Sequence, residues 1–209
     1  MKHTPAIAAS IVLLGVLSGC VSLPAREAVQ LYTPALSSTD ATDAPGVQWQ
    51  LVIDRPLSDP ALDSPRIAVR PRPNELQSYA GARWTAAAPD IVETALLRRF
   101  QDSGRIMAVG RARDALRADY VLQLDLRAFE SVYDVEGSAP HAHIALYATL
   151  LDASSRDVVA SRLFVHNSTA SGEAVPAVVD AVGVALSALS TELMEWTLSS
   201  AQAHAERAD

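Results

Sequence analysis

The chain has 209 residues, 49% hydrophobic and 20% charged, with 24 acidic against 17 basic side chains and a net charge of −7. That apolar content argues against a disordered chain, and the length is enough for one domain with a real core. The acidic balance argues against nucleic-acid binding, because phosphate contacts need a basic surface.

Lys2, the only lysine, precedes an apolar run over residues 7–16, and Leu17, Ser18, Gly19 and Cys20 follow. This start resembles a bacterial lipoprotein signal peptide with its lipobox. The residue types suit that chemistry. Leu17 fills an apolar peptidase pocket, Ser18 and Gly19 are small enough for a narrow cleft, and the Cys20 thiol is the nucleophile that takes a diacylglyceryl group. Cleavage then falls between Gly19 and Cys20. The apolar run of about 10–13 residues is shorter than the ~20 needed to span a bilayer, but it fits a secretory h-region. The competing readings are an ordinary secretory signal with a chance cysteine, and a membrane anchor. Two or more acyl chains hold a protein stably on a membrane. Val21, rather than Asp, follows the cysteine, which by resemblance to the common sorting rule points to the outer membrane. Cys20 is the only cysteine, so no internal disulfide is expected.

Residues 20–46 are rich in Pro, Ser, Thr, Ala and Asp and read as a flexible tether. Residues 47–53 alternate, with Trp49, Leu51 and Ile53 on one face, as in a half-buried strand. Residues 66–70 repeat the pattern until Pro71 and Pro73, which lack an N–H, stop the pairing. Residues 74–85 read as a short strand or an excursion. A first helix opens at Pro89 and closes at Gly104. A short strand over 106–109 and a loop or helical turn over 111–118 lead to the clearest strand, 120–128, with Tyr120, Leu122, Leu124, Leu126 and Ala128 on one face. Strands over 143–151 and 158–166 form a hairpin. In the last helix, 174–199, Val175, Val179, Val182, Leu186, Leu189, Leu193 and Trp196 make one apolar stripe. That spacing also suits a coiled coil, but Ala and Ser flank it and no charged pairs accompany it, so packing across the sheet is the reading taken. Residues 201–209 read as a polar tail. The expected fold is α+β: a mixed, mainly antiparallel sheet with two main helices on one face. Four segments are expected: a signal peptide over 1–19, an acylated tether over 20–46, a folded domain over 47–200 and the tail.

No G-x-S-x-G elbow, P-loop or dinucleotide fingerprint occurs, and no enzyme activity is expected. His141 and His143 share a strand face, but no third ligand lies nearby in sequence. His166 has only compositional company for hydrolase chemistry. Arg70 and Arg72, interleaved with Pro71 and Pro73, form a small basic patch, read either as a solvated loop or as a contact for a partner or lipid headgroups. Tyr79 and Trp84 flank Gly81. They read either as caps on the core edge or as docking anchors.

The order of these soft motifs is similar to that of the ABC-type transport auxiliary lipoprotein family, which includes the paraquat-inducible protein C lipoproteins. The residues concerned are the lipobox, Leu31-Tyr32, Ile67 to Pro71, Leu76 to Tyr79, Arg83-Trp84, Asp119 to Leu122, Phe129-Glu130 and the hairpin before an alanine-rich helix. The resemblance implies a short strand near Leu31 and a non-catalytic accessory of a transporter with mammalian-cell-entry (MCE) subunits. Such systems move phospholipid or other hydrophobic molecules across the periplasm and support outer-membrane integrity. It further implies an MCE-type partner, no cofactor beyond covalent lipid (palmitate) on Cys20, and a place on the periplasmic face of the outer membrane. Self-association into a dimer or ring suits such a role, although no sequence pattern demands it. The alternative function is a structural envelope lipoprotein that assists assembly of another outer-membrane complex.

Overall fold

The computed structural model describes residues 28–37, 46–134 and 138–208. In chain order the elements are β1 (Gln30–Tyr32), β2 (Val47–Ile53), β3 (Leu57–Ser58), β4 (Arg66–Arg72), β5 (Glu75–Trp84), α1 (Ala88–Ser103), β6 (Ile106–Arg111), β7 (Tyr120–Val132), β8 (His141–Asp152), β9 (Val158–Thr169) and α2 (Val175–Ala208). A 3₁₀ turn, Ala112–Asp114, sits between β6 and β7.

The sheet is organised around β7. One edge pairs antiparallel with β8, from Tyr120↔Asp152 to Val132↔His141, and β9 runs antiparallel beside β8. Three strands share the other edge in succession, each parallel to β7: β2 at Leu51↔Tyr120, β3 at Leu57↔Asp125 and β4 at Ala68↔Glu130. Beyond them lie β6 parallel to β2, β5 antiparallel to β4, and β1 parallel to β5. The result is one mixed, nine-stranded sheet whose long pairings are antiparallel. With two α-helices among the described residues, one of them long, this is an α+β fold.

The alternation in β7 explains its placement. Leu122, Leu124 and Leu126 are buried and pack with Ile144, Leu146, Ala148 and Leu150 of β8, Phe164 of β9, and Leu186, Leu189 and Leu193 of α2. Val92, Leu96 and Phe100 of α1 belong to the same core. Burying each such side chain contributes ~1.5–3 kcal/mol. Ala128 does not continue the core-facing series as its parity suggests. The pairing slips between Leu126↔Leu146 and Ala128↔Ala145, so Arg127 is the extra residue of a bulge. From there Phe129, 1% exposed, takes the core position against Trp84 with ring centroids 5.7 Å apart. β4 also runs further than expected, through Pro71. The missing N–H falls where the β4–β5 register is irregular, between Val69 and Arg72. The segment read as a short strand or excursion is the ten-residue β5.

α1 begins with Pro in its first turn and ends at Gly104, whose left-handed φ of 64° closes the helix with its N–H bonded to the Gln101 carbonyl. α2 is buried on more than its expected stripe. Val178, Ala181, Ala185, Ser190, Met194, Thr197 and Leu198 are also buried, because the sheet covers one side and α1 approaches another. By length and composition α2 could cross a membrane, and 67% of its most apolar window is buried inside the domain. The expected polar tail is part of this helix. The Tyr120 hydroxyl donates to the Ala201 carbonyl (3.2 Å) and lies 3.3 Å from His204 Nδ1, so the apparently polar end is docked on one side.

The short strand implied near Leu31 is present as β1, and the tether expectation is corrected for the rest of residues 28–37. β1 pairs with β5, the Thr85 N–H donates to the Tyr32 carbonyl at 2.9 Å, and Pro34 is buried. Residues 33–37 then form a strap across α1 and α2.

Candidate functional site

Gly19 and Cys20, the expected cleavage and lipidation positions, lie outside the described residues. The other four sequence candidates lie on the paired strands β4 and β5 but do not form a free surface. The Arg70 guanidinium grips the Glu130 carboxylate with two bonds, Nε–Oε1 2.8 Å and Nη2–Oε2 3.0 Å, and also donates to the Pro73 carbonyl. Glu130 is buried, and its hydrogen bond and charge raise the Arg70 pKa. Arg70 is therefore committed to an internal pair. Arg72 faces solvent and pairs with Glu75 at 3.1 Å, so the proposed basic patch is largely neutralised.

Tyr79 is half-buried, its hydroxyl 3.1 Å from Ser131 Oγ. Burial pushes its pKa up to about 12, against a small lowering from the Ser131 bond, so the phenol stays protonated at neutral pH. Trp84 is 2% exposed and belongs to the core. As a docking anchor it is corrected. Phe129 and the β1 pairing enclose it, in keeping with the reading of it as a cap on the core edge.

The two histidines at the start of β8 are separately engaged. His141 Nδ1 lies 3.2 Å from Asp134 and His143 Nδ1 2.7 Å from Asn167. Among the described residues no group of three His, Cys, Asp or Glu side chains is placed to hold a metal. His166 meets Glu192 of α2 at 2.7 Å, a packing contact across the β9–α2 layer that Arg162 shares.

Two features were not read from sequence. The first is the strap. The Ser37 N–H donates to Ser187 Oγ at 3.0 Å, Ser187 Oγ–H donates to the Gly183 carbonyl at 2.7 Å, and Arg99 Nη2 donates to the Ser37 carbonyl at 3.2 Å. Gly183 lets the strap approach. A Cβ there would stand 2.4 Å from the Ala35 carbonyl oxygen. The second is the outer face of β9, which pairs only with β8 among the described residues and leaves Val158, Leu163 and Val165 45–62% exposed. The run Leu163-Phe164-Val165 carries the signal for it. Phe164 faces α2, its ring 5.4 Å from Trp196, so its two apolar neighbours must face the other way.

The described residues form an α+β domain with a largely buried long helix and a docked N-terminal strap. The comparisons make the class specific. Residues 30–194 match the family described as ABC-type transport auxiliary lipoprotein component, and the chain belongs to that family. A solved structure of protein XCC0632 from Xanthomonas campestris is 42% identical, superposes with a TM-score of 0.79, and covers 85% of this chain and 99% of its own. A second solved structure, of an uncharacterised protein, shares the fold at 12% identity with a TM-score of 0.61, covering 83% of this chain and 99% of its own. Protein bll6063 of Bradyrhizobium diazoefficiens is 28% identical over 163 residues, which are 78% of this chain. The chain spans about 40% of that relative's length.

Proposed function

We propose that this protein is a non-catalytic accessory subunit of an MCE-type ABC transport system. In this reading it is held by acyl chains on Cys20 at the periplasmic face of the outer membrane and assists movement of phospholipid or other hydrophobic molecules. The family match over residues 30–194 carries the reading. The lipobox at residues 17–20 supports the anchor. The partner is the periplasmic MCE-type subunit, and the face offered to it is β9. A free strand edge bearing Leu163 and Val165 supplies main-chain hydrogen bonds for affinity and apolar side chains for specificity.

The test is affinity capture of the full chain from solubilised envelopes. An MCE-type subunit is expected to co-purify, and Leu163→Asp with Val165→Asp is expected to release it. Cys20→Ala is expected to shift the protein out of the membrane fraction or leave it uncleaved. Capture without any transporter subunit, together with normal detergent resistance in a deletion strain, sinks the transport reading. An unmodified Cys20 sulfur in the mass spectrum of native protein sinks the anchor.

A further inference from the structure

A cleft of about 350 Å³ opens between the strap and the two helices, lined by Ala35 and Ser37 of the strap, Arg99 and Asp102 of α1, and Ser187 and Ser190 of α2. Arg98 stands at its exposed side. Two of these groups are not accounted for by packing.

Arg99 is 8% exposed, yet among the described residues only its Nη2 is engaged, by the carbonyls of Ser37 (3.2 Å) and Ser187 (3.5 Å). Asp102 shares the cleft from the solvent side, but the ion pairs among the described residues do not include Arg99. Carbonyl oxygens accept its protons without neutralising its charge. Its Nε and Nη1 have no partner among the described residues and are not sealed from solvent, and a largely buried Arg normally has a carboxylate or phosphate for company. Ser190 is 2% exposed, and its Oγ has no hydrogen-bond partner among the described residues. A buried hydroxyl without a partner costs ~1–3 kcal/mol. Most helical serines avoid that cost by bonding back along the helix, as Ser187 does to Gly183.

We propose that the cleft is a phosphate-binding site, in which the Arg99 guanidinium takes two oxygens of a phosphate group and the Ser190 hydroxyl donates to a third. The fork of Arg matches a phosphate in two parallel bonds, and Arg98 at the mouth adds a second positive charge against the single negative charge of Asp102. The volume lies at the small end of ligand pockets. It holds a phosphate with a glycerol-sized substituent and leaves acyl chains outside. The ligand is therefore free phosphate or the headgroup of a phospholipid. This assignment stands on the cleft alone and does not depend on the transport reading.

The test is calorimetric titration of the full chain in a non-ionic detergent. The probes are inorganic phosphate in one arm and short-chain phosphatidylglycerol, below its micelle concentration, in the other. Saturable binding is expected in at least one arm. Equal affinities assign a free-anion site. A tenfold or larger preference for the lipid, with inorganic phosphate competing, assigns a headgroup site. Arg99→Gln is expected to lose binding tenfold or more. Because that residue also pins the strap, Ser190→Ala is the deciding variant. It removes a hydroxyl that bonds nothing among the described residues, so the unliganded melting temperature should hold or rise while affinity falls several-fold. No saturation in either arm up to about 10 mM, or unchanged affinity in Ser190→Ala, overturns the proposal.

Discussion

Replacing Gly183 by alanine sets two effects of opposite sign against each other. In an exposed helix the change gains ~1 kcal/mol, because glycine is the costlier residue in a helix interior. Here the added Cβ would sit 2.4 Å from the Ala35 carbonyl oxygen and 3.4 Å from the Ala35 nitrogen and carbonyl carbon. The obstacle is backbone, so no side-chain rotation relieves it. α2 cannot retreat, since Val182 and Leu186 beside it are locked in the core. The strap must lift instead. Lifting it forfeits the Ser37 N–H bond to Ser187 Oγ and the Arg99 bond to the Ser37 carbonyl, ~1 and ~1.5 kcal/mol respectively, together with the burial of Pro34. The balance is ~1.5–2 kcal/mol against the docked strap. Hydrogen exchange of the Ser37 amide is the direct assay, and it should quicken ~10-fold or more in Gly183→Ala while the β7 and β8 amides keep their protection. A variant ~1 kcal/mol more stable than wild type, with Ser37 protection unchanged, refutes the reasoning.

Two further outcomes are expected. Arg70→Ala leaves the buried Glu130 carboxylate unpaired and should cost ~2–3 kcal/mol in denaturant unfolding, below the value for a fully buried pair because the Arg70 side chain is 32% exposed. The double change Arg70→Met with Glu130→Leu should recover most of it, whereas a loss under ~0.5 kcal/mol in the single variant contradicts the assignment. Asp152 Oδ1 accepts from the Ser154 N–H and hydroxyl and the Ser155 N–H, at 2.6–2.9 Å, and these bonds hold its pKa at about 2 against the usual 3.8. A carboxylate with a depressed folded pKa contributes stability that is present above 3.8 and lost as pH falls toward 2. Asp152→Ala should therefore lower stability by ~0.5–1 kcal/mol at neutral pH, discounted for solvent exposure, and the gap to wild type should close in acid. A gap that persists unchanged at a pH of about 2 contradicts it.

The parts legible in the sequence are those where one apolar period repeats long enough to stand out. β2, β7, β8, β9, α1 and most of α2 are of this kind, as is the α+β class. What escaped depends on meetings between distant residues. The strap reads as a tether because its composition is that of a linker; only Gly183 and Ser187, some 150 residues later, give it a seat. The bulge at Arg127 reverses which of Ala128 and Phe129 faces the core, and parity counting has no means to see it. The end of α2 reads as a tail because its polar residues form one side of a helix whose other side rests on Tyr120. Of the two readings of Trp84, the cap on the core edge stands, and what decides it is the Phe129 ring, a contact that spacing along the chain does not show. Arg99 and Ser190 carry no signal at all until two helices and the strap bring them to one cleft.

The strap also sets how the domain bears tension applied from its N-terminal side. β1 meets β5 over only three residues, Gln30 to Tyr32, and the segment after it is held by a few hydrogen bonds. The core behind it is spread over the rest of the sheet and both helices. A pull therefore peels the strap first. The ten residues from 28 to 37 would then pay out up to ~35 Å of extra leash, with the sheet still folded at its end.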